Sequence, residues 1–298
     1  SPGVYSVLAE LGFVDREEAI ASFRSTQNLF EGHIEREVPG VEWTTGNLGQ
    51  GLSAACGMTL GERIHGRRAR IFVPMGDGEQ QKGQISEARR FTVKFGLNEI
   101  TAIIDRNRQQ ISGDTQQIMP QRIVENWESD GWHVVEIDGH DPQQIFSTLQ
   151  QAGRDEQRPW CIVANTVMGK GISFMENLCD FHGRGLKPEE FAAAIEELGE
   201  DPALWDLGPF EQRRNRRPAS TIPSLPHQFP KLNPGEPVTY GVDERTDCRS
   251  AFGKAIHDVA LATDSKSPPI AAFDCDLEGS VKLGAFHESF PDRFFQSG

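Results

Sequence analysis

The feature that most constrains the fold is a strand-sized apolar run, Ile71-Phe72-Val73-Pro74-Met75, that ends abruptly in Gly76-Asp77-Gly78. Beyond the turn, Ile85 to Phe95 carries apolar residues at helical intervals, with Gly96 as its stop. A second buried-strand pattern, Ile100 to Ile104, is closed by Asp105 and leads to Asn107. One helix and one strand between Asp77 and Asn107 return both residues to the same sheet edge. The glycines allow backbone to approach a diphosphate beside the positive end of the following helix. The Asp77 carboxylate and Asn107 amide oxygen are hard donors that, with a backbone carbonyl and phosphate oxygens, can complete an octahedron around Mg²⁺. A lone Gly-Asp-Gly reads as an ordinary turn and a lone Asn as a helix cap; the strands on both sides favour the ligand site.

The surrounding chain repeats the alternation. Val4 to Leu11 and Glu17 to Phe23 have helical spacing, Val134 to Ile137 and Cys161 to Ala164 read as strands, and a helix falls near Gln143 to Gln151. Lys187-Pro188-Glu189-Glu190 opens another helix, with proline and acids in its first turn. The pattern predicts an α/β fold, a parallel sheet flanked by helices, with its chemistry in the loops at the carboxyl ends of the strands. From Pro202 to Pro237 stand eight of the 18 prolines, together with the basic run Arg213-Arg214-Asn215-Arg216-Arg217, which reads as an irregular linker with an exposed patch. A helix from Arg249 to Ala262 and a strand from Ile270 to Phe273 follow, ending in Asp274-Cys275-Asp276. The expected division is a first domain over residues 1–200, a linker over 201–244, and the start of a second α/β domain over 245–298, too short to bury a core of its own.

Charge and composition exclude several classes. The 44 acidic against 30 basic residues leave a net charge of -14, which argues against nucleic acid and against an anionic membrane surface. No apolar run approaches the roughly 18 residues of a membrane span. The five cysteines show no C-x-x-C and read as reduced thiols of a cytoplasmic protein. A start at Ser1 without Met and a stop at Gly298 in mid-domain read as a fragment of a longer chain.

Several segments in order carry a family resemblance. Gly76-Asp77-Gly78 followed by Asn107 resembles the thiamine diphosphate motif, and the chain as a whole resembles the transketolase family. Gly32-His33-Ile34-Glu35 is similar to that family's GHPE, and Pro39-Gly40-Val41-Glu42-Trp43-Thr44-Thr45-Gly46-Asn47-Leu48-Gly49-Gln50-Gly51-Leu52-Ser53 to its PGVE-TTG-LGQG-S segment. Gly169-Lys170-Gly171 with Phe181-His182-Gly183 resembles its late histidine loop. Arg249, Asp276-Leu277-Glu278-Gly279-Ser280 and Phe290-Pro291-Asp292-Arg293-Phe294 resemble the start of its pyrimidine-binding domain. Two rival motifs fail on context. Gly46-x-x-Gly49-x-Gly51 follows no strand and departs from the dinucleotide spacing, and Gly169-Lys170 has Ala164 where a P-loop needs glycine.

The resemblance implies a thiamine diphosphate-binding domain that transfers a two-carbon ketol unit from a ketose phosphate to an aldose phosphate. It implies thiamine diphosphate with Mg²⁺ (Ca²⁺ or Mn²⁺ also fit), sugar-phosphate substrates, and a homodimer with active sites at the subunit interface. By the same resemblance Asp77, Asn107 and the Gln109 carbonyl would hold the metal and Gly78 the diphosphate. Gly46 and Leu48 would face the aminopyrimidine, and Asp276 would lie near the cofactor. His33 and His182 would line the reactive channel, where imidazoles can bind hydroxyls and relay protons. Arg249 and Ser280 would bind the sugar phosphate, the Arg fork matching phosphate oxygens. The family's catalytic glutamate would come beyond Gly298, from the partner subunit, and one family histidine before Ser1. Lys82 stands where transketolases usually carry an interface acid, and Glu87 matches the second acid there. Two other readings keep the cofactor: an enzyme using pyruvate or another 2-oxo acid, and a non-catalytic binding or assembly subunit.

Overall fold

A computed structural model of the chain describes residues 2–25, 28–201, 232–263 and 269–298. The basic run, His227 and most of the prolines of the expected linker lie outside the described residues, and residues 232–247 carry no helix or strand. The chain divides into two compact units, Ser1–Thr59 with Ala69–Leu225, and Leu60–Arg68 with Pro226–Gly298.

In chain order α1 (Pro2–Glu10), α2 (Arg16–Ser22) and α3 (Gly51–Ile64), whose residues up to Thr59 belong to the first unit, precede β1 (Ile71–Gly76), α4 (Gly83–Lys94) and β2 (Ile100–Arg106). A short hairpin, β3 (Gln109–Gln110) and β4 (Gly113–Asp114), leads through α5 (Thr115–Ile118) and α6 (Ile123–Ser129) to β5 (His133–Asp138), α7 (Pro142–Arg154), β6 (Trp160–Asn165) and α8 (Pro188–Glu197). The main sheet is four-stranded, in the order β1-β2-β6-β5, and every pairing is parallel. Its register aligns the carboxyl ends: Gly76 pairs with Asp105, Arg106 with Asn165, and Asp138 with Asn165. All loops that carry candidate chemistry in this unit's sheet therefore leave from one edge.

Central position explains composition. In β6 the run Trp160-Cys161-Ile162-Val163-Ala164 is buried throughout, as expected for a parallel strand covered on both faces. The run at β1 differs from a fully buried strand: Val73 and Met75 are buried while Phe72 and Pro74 are exposed. Among the described residues β1 pairs on one side only, with β2, where proline interrupts no second ladder. One face of the sheet packs Ile103, Val135, Ile137, Trp160 and Ile162 on Ile145, Leu149 and Ala152 of α7. Over the other lies α4, whose Arg89 acts on the buried Cys161 thiol and whose Arg89 carbonyl accepts from Trp132 Nε1 at 3.2 Å. Arg89 is buried yet paired with Asp130 at 2.8 Å and stacked 5.3 Å from the Trp127 ring, so the charge is not left uncompensated.

Sequence periodicity does not mark α3, α6 or the hairpin. Three glycines in α3 weaken its helical signal, and burial supplies what propensity lacks. Leu52, Ala55 and Cys56 are buried, and the Cys56 sulfur lies 3.2 Å from Thr92 Oγ1 of α4. Burial pushes the Cys56 thiol up to about 11.

In the second unit Asp247 caps α9 (Cys248–Ala262), accepting from the Arg249 and Ser250 amides at 3.0 Å each. Parallel strands β7 (Ala272–Asp274) and β8 (Phe294–Gln296) flank α10 (Glu278–Val281) and α11 (Gly284–Ser289). A small core does form there, around fully buried Phe286 with Ala260, Ala272, Leu283 and Phe294. The strand falls at 272–274 rather than 270–273, because pairing with β8 sets its register. Among the described residues no helix is long and apolar enough to cross a membrane.

Candidate active site

The turn after β1 is built to hold Asp77. Asp77 starts a short 3-10 turn, Gly78–Gln81, and is only 4% exposed. Its Oδ1 accepts from the Gly78 amide at 2.7 Å and its Oδ2 from the Arg108 amide at 2.6 Å. The second bond depends on Arg108 adopting a left-handed backbone, φ 61°, a conformation that non-glycine residues rarely take and that clusters at functional turns. Asn107 Oδ1 accepts from the Gln109 amide at 2.8 Å, and the Arg108 carbonyl accepts from the Thr115 amide at 3.0 Å. Asp77 and the 107–109 loop are thus brought together.

The electrostatics of Asp77 are those of a site short of positive charge. Burial pushes its carboxyl above the usual carboxylate range; Asp105 adds to the rise, and the amides of Arg108 and Gly78 oppose it. Among the described residues no basic side chain pairs with it. A carboxylate has about four acceptor positions, of which two amides fill two. The buried anion, with amide and carbonyl oxygens beside it, fits a hard divalent cation. Among the described residues no group of three or more His, Cys, Asp or Glu side chains is placed to hold an ion. The expected set, one carboxylate with an amide oxygen and a backbone carbonyl, is of a different kind. Beside this loop opens a cleft of about 360 Å³, lined by Asn107, Gln109, Asp114, Asn165, Thr166 and Asn177 among others.

Several residues that sequence reasoning passed over brace this turn. Gln80 Nε2 donates to the Gly76 carbonyl at 3.1 Å, and Gln80 Oε1 accepts from Trp127 Nε1 at 3.1 Å. Glu79 takes the Gly49 amide on Oε1 at 2.8 Å and the Gly76 amide on Oε2 at 3.2 Å. Gln81 Nε2 donates to Gln110 Oε1 at 2.9 Å, tying the turn to the hairpin. His140 Nε2 accepts from the Val167 amide at 2.8 Å, and Thr166 donates to Asp105 in a very short hydrogen bond. Adjacency to Gly76-Asp77-Gly78 was the available signal for Glu79 and Gln80; Trp127, 47 residues away from Gln80, gave none.

His33 and Gly46 are also brought together. A Cβ placed on Gly46, where φ is 129°, would stand 3.8 Å from the His33 ring. Thr45 explains the approach: its amide and hydroxyl both donate to the Ile34 carbonyl, at 2.9 and 3.2 Å, while Thr44 Oγ1 accepts from the Arg36 amide at 3.1 Å. Tyr5 holds the same loop from below through its hydroxyl, which donates to the Glu31 and His33 carbonyls at 3.0 and 3.3 Å. Leu48 is 58% exposed, an apolar side chain at the loop tip.

The other expected residues are placed more openly. His182 is exposed and follows the single turn Cys179–Phe181. Arg184 anchors that stretch, stacked 4.1 Å over Phe181 and paired with both oxygens of Glu190 at 2.7 and 2.8 Å. The pairing and the Lys187 amide pull the Glu190 carboxyl down to about 2. Lys82 and Glu87 are exposed at the first turns of α4. Arg249, Asp276 and Ser280 belong to the second unit and are exposed there; the Asp276 amide donates to Gln296 Oε1 at 2.7 Å with φ at 59°.

Residues 2–211 match the family model described as transketolase, thiamine diphosphate binding domain. The chain is 38% identical over 204 residues to 6-deoxy-6-sulfo-D-fructose transketolase subunit SqwG of Clostridium sp., covering 68% of this chain and 74% of that protein. It is 35% identical over 200 residues to an apulose-4-phosphate transketolase subunit of Phocaeicola vulgatus, covering 66% and 70%. With human transketolase-like protein 2 the match runs over 99% of this chain at 28% identity and covers 46% of that protein. Among solved structures, transketolase of Pichia stipitis in complex with sedoheptulose 7-phosphate superposes with a TM-score of 0.80 at 22% identity, over 99% of this chain and 51% of that one. Campylobacter jejuni transketolase gives 0.79 at 24%, over 99% and 50%. The chain therefore spans about half the length of these longer relatives.

Proposed function

The chain belongs to the transketolase family, and from that premise we propose that it forms the thiamine diphosphate- and metal-holding half of a ketol transferase acting on sugar phosphates. The observation that carries this reading is Asp77: a buried carboxylate without a cationic partner among the described residues, at the carboxyl edge of a parallel sheet and bonded to the loop that carries Asn107. Asp77, the Asn107 amide oxygen and the Gln109 carbonyl hold the ion, Mg²⁺ by the hardness of the oxygen set. Gly78 lets the backbone approach the diphosphate, and Gly46 with exposed Leu48 takes the aminopyrimidine. When bound, thiamine diphosphate supplies the electron sink that lets a two-carbon unit leave a ketose and join an aldose. His33, set against Gly46, and His182 donate to substrate hydroxyls and move protons at their ring nitrogens. Arg249 and Ser280 take the substrate phosphate, and Asp276 lies near the cofactor. Residues 1–200, 201–244 and 245–298 then serve as cofactor domain, linker and the beginning of the pyrimidine domain, in a cytoplasmic homodimer with Lys82 and Glu87 at its interface.

The alignment lengths and the site residues bear on the alternatives. The long relatives align over 99% of this chain and the subunit relatives over 66–68%. That difference supports a chain that continues into the pyrimidine domain, over a separate binding subunit. The paired histidine segments, with Arg249, support a phosphorylated sugar over a 2-oxo acid. The test is a transfer assay on the full-length protein with xylulose 5-phosphate and ribose 5-phosphate, with and without thiamine diphosphate and Mg²⁺. Sedoheptulose 7-phosphate formed only when both are present is the expected result. No product, despite metal-dependent cofactor binding, rejects the substrate assignment and points to 2-oxo acid donors or a non-catalytic subunit.

A further inference from the structure

We infer that Glu79 is a positioning residue that fixes the span between the two glycine segments of the site, and so the room available to the two ends of a single ligand. One carboxylate gathers backbone amides from segments far apart in sequence, Gly49 on Oε1 at 2.8 Å and Gly76 on Oε2 at 3.2 Å. Because both bonds end on the same rigid carboxylate, the two amides cannot separate without breaking one.

The neighbouring geometry shows how close the segments are drawn. Gly49 is buried, has φ 93°, and a Cβ placed on it would stand 2.8 Å from the Cβ of Lys82, which joins the turn to α4. A side chain there would push the segments apart. The Gly76 peptide is held from its other side as well, its carbonyl accepting from Gln80 Nε2. Glu79 thus sits between a segment that carries Gly46 and Leu48 and a turn that carries Asp77 and Gly78. Glutamate alone suits both bonds, since glutamine can accept only one of the two amides and aspartate is one methylene too short to reach both.

The inference rests on the proposed reading that Gly46 and Leu48 face the aminopyrimidine while Asp77 and Gly78 face the diphosphate. It predicts a split between ligands. In the full-length protein with Mg²⁺, Glu79→Gln weakens thiamine diphosphate about tenfold, the equivalent of one lost charge-assisted bond. Inorganic diphosphate, which touches the turn alone, keeps its affinity within about twofold. Glu79→Asp, which retains the charge, shows the same split, and both variants keep a single cooperative unfolding transition, so they are folded when the two ligands are compared. Calorimetric titration with each ligand reads the result. An equal loss for both ligands makes Glu79 a general brace of the turn and overturns the inference, as does no loss for either. If the parent protein itself binds thiamine diphosphate no more tightly than inorganic diphosphate, the proposed site reading fails first and takes this inference with it.

Discussion

The turn at the end of β1 and the histidine loop after β6 lie in the same unit and are held in opposite ways. Around Asp77 the turn is held by fixed partners: two amides on its carboxylate, Gln80 and Glu79 on the two sides of the Gly76 peptide, Trp127 behind Gln80. Around His182 the bracing is external, an exposed Arg184–Glu190 pair and a stacked Phe181, while the imidazole stands exposed. A site that must bind a metal and a diphosphate gains from donors fixed in advance. A group that meets exchanging substrates needs to stay reachable. On the proposed reading the first region binds and the second takes part in turnover, and substitutions can break that division.

The largest effect is expected at the braced end. Asp77→Ala should lower Mg²⁺-dependent thiamine diphosphate affinity by more than the roughly 10–100-fold that an outer partner of a metal ligand is worth. Titration calorimetry checks it. The same residue gives a pH signature. Its folded carboxyl titrates above its ordinary range, so the native state holds the proton more tightly than the unfolded chain, and metal-free stability relative to Asp77→Asn should fall as pH rises through that raised value. Added Mg²⁺, which favours the ionised form, should remove the decline; melting curves from pH 4 to 8 would record both.

At the open end, His182→Ala should cut kcat by about 100-fold, the lower range for a group that moves protons, while cofactor affinity stays at the parent value. Loss of cofactor binding in that variant would dissolve the distinction between the two regions. Next in size is Gly49→Ala, which combines φ 93° with a Cβ pressed on Lys82 and should cost about 1–3 kcal/mol in denaturant unfolding. Trp127→Phe, which leaves Gln80 Oε1 without its buried donor, should cost about 1–3 kcal/mol and weaken cofactor binding only indirectly. The smallest effect is local. The Glu190 carboxyl is held down near 2 by Arg184 and the Lys187 amide, so its contribution is present above the ordinary carboxylate range and fades as pH falls from about 4.5 towards 2. Amide exchange over residues 181–190 should rise in that window and at Asp77 should not follow it.

How much of this was legible depended on whether a residue's role is local. The strand–turn–helix–strand unit around Asp77 could be read because each element has its own period and the glycines and Asn107 stand at its ends. The closeness of His33 to Gly46 was not readable from spacing, since it depends on Thr45 donating twice to Ile34. Helix α3 was hidden by Gly51, Gly57 and Gly61, whose propensity cost is offset by burial of Leu52 and Cys56. The bracing behind the turn escaped because Trp127 is distant in sequence from Gln80, and nothing in its own neighbourhood marks it. Arg108 escaped for a different reason: only its left-handed backbone, not its side chain, carries Asp77.

The central claim is that Asp77, Asn107 and the Gln109 carbonyl form one cation site facing a diphosphate. Crystals of the full-length protein grown with thiamine diphosphate and Mn²⁺ test it directly through anomalous scattering from the ion. The account predicts a single strong peak bonded to the Asp77 carboxylate, the Asn107 amide oxygen and the Gln109 carbonyl, at about the 2.0–2.2 Å of a small hard cation, with diphosphate oxygens completing the shell. A diphosphate ordered against Gly78 with the ion elsewhere, or with Asp77 still bonded only to the Gly78 and Arg108 amides, would contradict it.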